Sequence, residues 1–283
     1  MSHTLFIRKA DGSAEVFKEE KLIRSLERAG ASKEDVDDIV AHVRTEISTD
    51  VTSDQVFRHA FEILKRKGGA VAAKYSLRRA IALLGPSGFP FEKFMSKVLA
   101  EHGYTSKTNI IVHGHCAEHE IDIVAENEKK VLFIESKFHN NPSVKSDMKV
   151  ALYVQARHDD LVKNNFDNYG ADGRECVFWL MTNTKFTSNS IEYAECAGLT
   201  MVGWSYPHTG NLRELVEKSG LQPVTCLTSL TDDHKKFLLD NDIVLCKTLQ
   251  EKPTILTDAG LDAVSSLHVQ EEIKALNESS FSS

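Results

Sequence analysis

Two runs decide how the chain reads: Glu120-Ile121-Asp122-Ile123-Val124-Ala125 and Val131-Leu132-Phe133-Ile134-Glu135-Ser136-Lys137-Phe138. Both are rich in β-branched and aromatic residues, and the polar stretch Glu126 to Lys130 between them predicts an antiparallel hairpin. Side chains alternate faces along a strand, so Glu135 and Lys137 point one way and Leu132, Ile134 and Ser136 the other. On the partner strand Asp122 faces away from Ile121 and Ile123. One face of the hairpin therefore gathers Asp122, Glu135 and Lys137, with His119 and Glu120 beside it.

Charged residues inside apolar strands cost free energy unless they are paired or bind a metal. Two converging carboxylates suit Mg²⁺, which takes oxygen ligands and keeps several waters. A neighbouring Lys would orient or deprotonate an attacking water while the metal stabilises charge building on a phosphate. A buried Asp–Lys or Glu–Lys ion pair accounts for the same triple, so the three residues alone leave both readings open.

Outward from the hairpin the pattern stays α/β. Strand-like runs fall at 108–113, 119–125, 131–138, 176–182 and 199–204. Helical patterns fall at Glu92 to His102, near 144–165 and at 187–197, which together predict a mixed sheet flanked by helices. Before residue 85 the period differs. Leu5-Phe6-Ile7 and Glu15-Val16-Phe17 flank Asp11-Gly12, a dipeptide suited to a tight β-turn. Helical spacing then runs through Leu22, Ile23, Leu26 and Ala29, and again from Val36 to Ile47. Thr52-Ser53-Asp54-Gln55 has the form of a capping box opening a third helix, and a fourth is expected from Ala70 to Leu84. Gly85-Pro86-Ser87-Gly88-Phe89-Pro90 reads as a linker, and Ser219 to Pro223 as a weaker break. Three segments result: 1–85, 86–220, and a small helical 221–283 with a frayed Ser-rich tail.

The whole chain of 283 residues has a net charge of -7, 41% hydrophobic and 27% charged residues, which excludes disorder and collagen-like repeats. No apolar run approaches the roughly 18–20 residues that span a bilayer, and no secretory signal opens the chain, so a cytoplasmic protein without a membrane partner is expected. Five scattered Cys without a CxxC pair agree with a reducing compartment. Residues 1–85 carry 15 basic and 13 acidic side chains, residues 86–220 carry 14 and 18, and residues 221–283 carry 5 and 10. Any grip on nucleic acid is then expected to be modest and salt-sensitive.

Several motifs in order resemble the Mrr-type branch of PD-(D/E)xK restriction endonucleases over about residues 86–218. They are Phe91-Glu92, Ile121-Asp122-Ile123, Glu135-Ser136-Lys137 and Thr182-Asn183-Thr184-Lys185-Phe186-Thr187. The resemblance implies Mg²⁺-dependent (or Mn²⁺-dependent) hydrolysis of DNA phosphodiesters. Asp122 and Glu135 would ligate the metal, Lys137 would activate water and Glu92 would support the site. Gln155 would be an auxiliary residue, with a solvated helix face as its alternative reading.

The first 84 residues resemble the ATP cone, a regulatory nucleotide-binding domain. The hairpin, Lys21-Leu22, Val51-Thr52-Ser53 and Ala73-Lys74-Tyr75 carry the likeness, and Lys9-Ala10-Asp11-Gly12 stands where the family has K-R-D-G. Ile7, Lys9, Glu15, Lys18, Lys21 and Thr52 are the implied contacts to ATP or dATP. A helix N-terminus flanked by Lys18 and Lys21 would favour phosphate in the same way. Without a P-loop, binding without hydrolysis is expected. The last segment loosely resembles a helix-hairpin-helix module but lacks its Gly-rich turn and is acidic, so packing or dimerisation is the preferred role. The combined expectation is a nucleotide-regulated, Mg²⁺-dependent DNA endonuclease, possible as a homo-oligomer. The alternative is a nucleotide-sensing regulator or DNA-binding protein whose nuclease fold is inert.

Overall fold

Val131, Leu132, Phe133 and Ile134 are apolar on both faces of their strand, and all four are buried, which makes this strand the centre of a covered sheet. The computed structural model describes residues 6–8, 14–46, 51–67, 69–164 and 173–278. Along the chain come β1 (Phe6–Arg8), β2 (Ala14–Val16), α1 (Glu19–Arg28), α2 (Lys33–Glu46), β3 (Val51–Thr52), α3 (Ser53–Lys67), α4 (Gly69–Tyr75) and α5 (Leu77–Ala82). Then follow α6 (Phe89–Glu101), β4 (Thr105–His113), β5 (Glu118–Glu126), β6 (Lys130–Lys137), β7 (Lys145–Ser146) and α7 (Met148–Lys163). Next are β8 (Glu175–Thr182), β9 (Lys185–Phe186), α8 (Ser188–Ala197), β10 (Thr200–Val202) and α9 (Leu212–Ser219). The last elements are α10 (Asp232–Asp240), α11 (Cys246–Glu251), α12 (Thr254–Asp258) and α13 (Ala263–Glu278).

The chain forms two compact units, one of residues 1–80 with 224–283 and one of residues 81–223. In the first, β1 pairs antiparallel with β2 and parallel with β3, a short strand with too little period to read from sequence. The turn at Asp11-Gly12 lies outside the described residues. Thr52 and Gln55 make the expected reciprocal cap: the Gln55 N–H donates to Thr52 Oγ1 and the Thr52 N–H to Gln55 Oε1. Leu26, Ile39, Ala60 and Leu64 form the core of the three helices that follow the hairpin. The helix expected from Ala70 to Leu84 is two helices, with a turn at Ser76 whose hydroxyl donates back to the Ala73 carbonyl.

The closing segment does not stand by itself. Leu238, Leu249, Leu256, Val269, Ile273 and Leu276 share one core with Ala73 and Ala80, and α13 packs on α4. Glu272 fixes this arrangement: its carboxylate accepts from the backbone and hydroxyl of both Thr228 and Ser229. A capping box at Thr231 and His234 opens α10.

The second unit holds a five-stranded sheet in the order β10-β8-β6-β5-β4. β4, β5 and β6 form an antiparallel meander, while β8 and β10 run parallel to β6. Val131, Phe133, Phe178 and Leu180 pack with Ala151 and Val154 of α7 and Ala194 of α8. Leu132 and Ile134 face the other way, by alternation, and α6 packs on β4 and β5 through a row that buries Phe91, Phe94, Met95, Val98 and Leu99. Residues 85–88 of the expected linker connect α5 to α6 and pack closely. A Cβ at Gly85 would lie 2.5 Å from the Phe138 ring, and Phe89 and Pro90 already form the first turn of α6. No described helix is long and apolar enough to cross a membrane.

Candidate functional site

The ladder between β5 and β6 runs in register from Glu126↔Val131 to Ile123↔Ile134 and ends there. At the next position the side chain of Asp122 takes over, its Oδ2 accepting the Ser136 N–H at 2.6 Å. The opposite ladder is broken at the same level. Asn109, between the paired Thr108↔Ile123 and Ile110↔Ile121, has φ 55, a left-handed conformation that Asn tolerates better than most residues. Its side-chain amide donates to Glu120 Oε1 at 3.0 Å. Asp122 thus sits where one neighbour strand splays and the other is kinked.

Arg157, from α7, reaches into this fork. Its Nη1 lies 2.7 Å from Glu135 Oε2, and its Nη2 donates to the Glu120 carbonyl. Glu92 is buried at 8% exposure near the start of α6, and Gly88 makes room for it: a Cβ there would lie 2.9 Å from Glu92 Oε1. Burial pushes the Glu135 carboxyl up to about 8, with the charge of Asp122 adding and that of Arg157 opposing. Burial likewise raises Glu92 to about 7, assisted by the charges of Asp122 and Glu120, and raises Asp122. Glu92, Glu120, Asp122 and Glu135 therefore feel one another as a single acidic cluster. Lys137 is exposed and lines the same cleft as Glu135.

Of the residues expected at this site, Glu92, Asp122 and Glu135 lie within electrostatic reach of one another, and Lys137 lines a cleft that of these three holds Glu135. Gln155 is engaged elsewhere, its Nε2 2.7 Å from Asp159 Oδ1 and 3.1 Å from His158 Nδ1 along its own helix. The side chain that enters the fork is Arg157, two residues further on, which sequence reasoning did not single out. The i, i+4 step from Tyr153 to Arg157 on α7 was the available signal. A second contact also escaped it: Asp160 accepts from the backbone of Cys116 and Ala117 and bonds His119 Nε2 at 2.8 Å, which fastens the β4–β5 turn to α7.

The donor set is all oxygen, and Glu135 Oε1 is buried without a hydrogen-bond partner. Both features fit a hard cation that takes one or two carboxylates and keeps its waters. Among the described residues, no group of three or more His, Cys, Asp or Glu is gathered closely enough to enclose a metal by itself.

In the first unit, Lys18 is the N-cap of α1 and Ile7 lies on β1, while Lys9 lies outside the described residues. Lys21 Nζ is 2.6 Å from Glu15, so these two expected contacts hold each other. Thr52 Oγ1 is occupied by the cap with Gln55. Several nearby cations are also tied down: Arg58 and Arg79 pair with Asp54, Lys67 with Asp35 and Asp38, and the Arg79 guanidinium lies 3.7 Å over the Phe57 ring.

These features define a chain of two units, a helical module with a small three-stranded sheet and a mixed-sheet α/β domain. Residues 5–82 match the ATP cone domain, and residues 223–277 match the family described as AF1548-like, C-terminal. An Archaeoglobus fulgidus relative, named only as an uncharacterized protein, is 38% identical over 184 residues, spanning 64% of this chain and 98% of that protein. A solved structure titled as that of the protein of unknown function AF1548 covers 68% of this chain and 100% of its own, at 34% identity and a TM-score of 0.55. The chain belongs to the AF1548-like family.

Proposed function

We propose that the chain is a nucleotide-regulated, Mg²⁺-dependent DNA endonuclease, with ATP or dATP bound by the ATP cone as effector. The observation that carries this reading is the group of Glu92, Asp122 and Glu135 at the split end of a hairpin, with Lys137 lining a cleft beside Glu135. Charges so placed weaken the fold unless they are used. The resemblance of the four motifs to Mrr-type endonucleases supports the same chemistry. Asp122 and Glu135 would hold Mg²⁺ or Mn²⁺, which when bound supplies Lewis-acid stabilisation to a phosphate. Asp122, anchored by the Ser136 N–H, has a fixed direction for its remaining lone pairs. Lys137 orients or deprotonates the water that attacks phosphorus. Glu92 sets the field around both carboxylates.

Incubating plasmid with the protein and Mg²⁺, with and without ATP or dATP, tests the reading. Nicking is expected, falling about 10²–10⁴-fold in Lys137→Ala and to background in Asp122→Ala. Cleavage that survives Asp122→Ala sinks the assignment. A second reading is a nucleotide-sensing regulator with an inert nuclease fold, favoured by the pairing of Arg157 with Glu135. Under it, calorimetry shows nucleotide binding while no hydrolysis accompanies any divalent ion.

A further inference from the structure

A cleft of about 350 Å³ opens between β6 and α7, directly beside Glu135. Val154 and Leu180, both buried, form its apolar base together with Val150. Lys137 and Lys149 supply two exposed ammonium groups, and Tyr153 presents a ring that is 61% exposed. Arg157 joins this ring to the carboxylate cluster: it holds Glu135 and lies 5.4 Å from the Tyr153 centroid. Met148 and Leu152 extend the exposed apolar stripe along the same helix, at 41% and 44%.

We infer that this cleft is the substrate subsite for an unpaired nucleotide, so that the preferred substrate is single-stranded or locally opened nucleic acid. The inference rests on the endonuclease reading and adds the substrate class to it. A volume of this size is that of a small-ligand site. Its components match one nucleotide unit: ammonium groups for the phosphates on either side, and an apolar base with an open aromatic ring for the nucleobase. A base within a duplex is stacked on both faces and has none to offer Tyr153. An unpaired base has one, and stacking there sets the adjoining phosphodiester beside Glu135 and Lys137. The charge agrees. This cleft carries two lysines against one carboxylate that Arg157 already faces, within a region that is acidic as a whole.

Fluorescence anisotropy of the full chain with a labelled oligothymidylate, and with a duplex of equal length, tests this in EDTA, where cleavage cannot interfere. The single strand is expected to bind more tightly. Tyr153→Ala should weaken it about 5- to 100-fold, with Tyr153→Phe close to wild type. Lys149→Gln should weaken it mainly at low salt and flatten the salt slope by about one charge. Equal affinity for duplex, or a Tyr153→Ala protein that binds the single strand as wild type does, overturns the inference and leaves the stripe to a protein partner. Failure of the catalytic reading looks different. In that case Tyr153 governs binding but wild type never cleaves the strand when Mg²⁺ is added.

Discussion

Arg157 is the residue on which the geometry of the acidic cluster turns. It satisfies one oxygen of a buried Glu135 and the backbone carbonyl of Glu120. Glu135, raised to about 8, is ionised only at alkaline pH, and there the loss of Arg157 leaves a buried charge without its partner, so Arg157→Ala should lose about 3–5 kcal/mol in urea denaturation at pH 9 and less at pH 6. An equal loss at both pH values would contradict the pairing as its cause. Glu92 is the complementary case. Its folded-state pKa, raised to about 7, exceeds the 4.5 of an unperturbed carboxyl, so the folded state holds a proton that the unfolded state releases first. The stability linked to it is intact below about pH 4.5 and is lost as pH rises towards 7. Glu92→Gln should therefore raise the melting temperature at pH 8 and leave it nearly unchanged at pH 4. A gain of equal size at both pH values would contradict the assigned cause.

At the scale of elements, the five main strands and the helices around them were legible, because Val131 to Ile134 and the rows on α6 and α7 keep a clear period. The approach of Asp122 to Glu135 was legible too, since charge inside an apolar strand stands out. Arg157 and Asn109 were not. An Arg on an amphipathic helix reads as solvated, and a left-handed Asn leaves no trace in a run of strand-forming residues. The last segment escaped for a different reason. Its apolar residues have a clear period, but nothing in that period says that they pack against Ala73 and Ala80, some 150 to 200 positions earlier. Glu272 makes this packing testable. Its four accepted hydrogen bonds join α13 to Thr228 and Ser229, so Glu272→Ala should cost at least about 3 kcal/mol, read by thermal or urea unfolding.

For the whole molecule, the grouping of residues 1–80 with 224–283 in one unit has a physical consequence. A chain ending at Pro223 loses the cover over α4 and exposes Ala73 and Ala80. Its ATP cone should therefore melt at lower temperature and bind nucleotide more weakly than in the full chain. A truncated cone with full stability would contradict the shared core. That core also gives the ATP cone a packed partner, and the proposed regulation would act through such an element. Under the proposed reading the acidic balance of the chain does not weigh against a nucleic-acid substrate, because the cations it invokes, Lys137 and Lys149, line the cleft beside Glu135. The most direct test is the cleavage rate of a labelled single-stranded DNA in Mg²⁺, followed while ATP or dATP is titrated in. Cleavage that Asp122→Ala abolishes is expected, with a rate that changes several-fold at the nucleotide concentration where calorimetry detects binding. Folded, nucleotide-binding protein that leaves the strand intact at every nucleotide and metal concentration would contradict it.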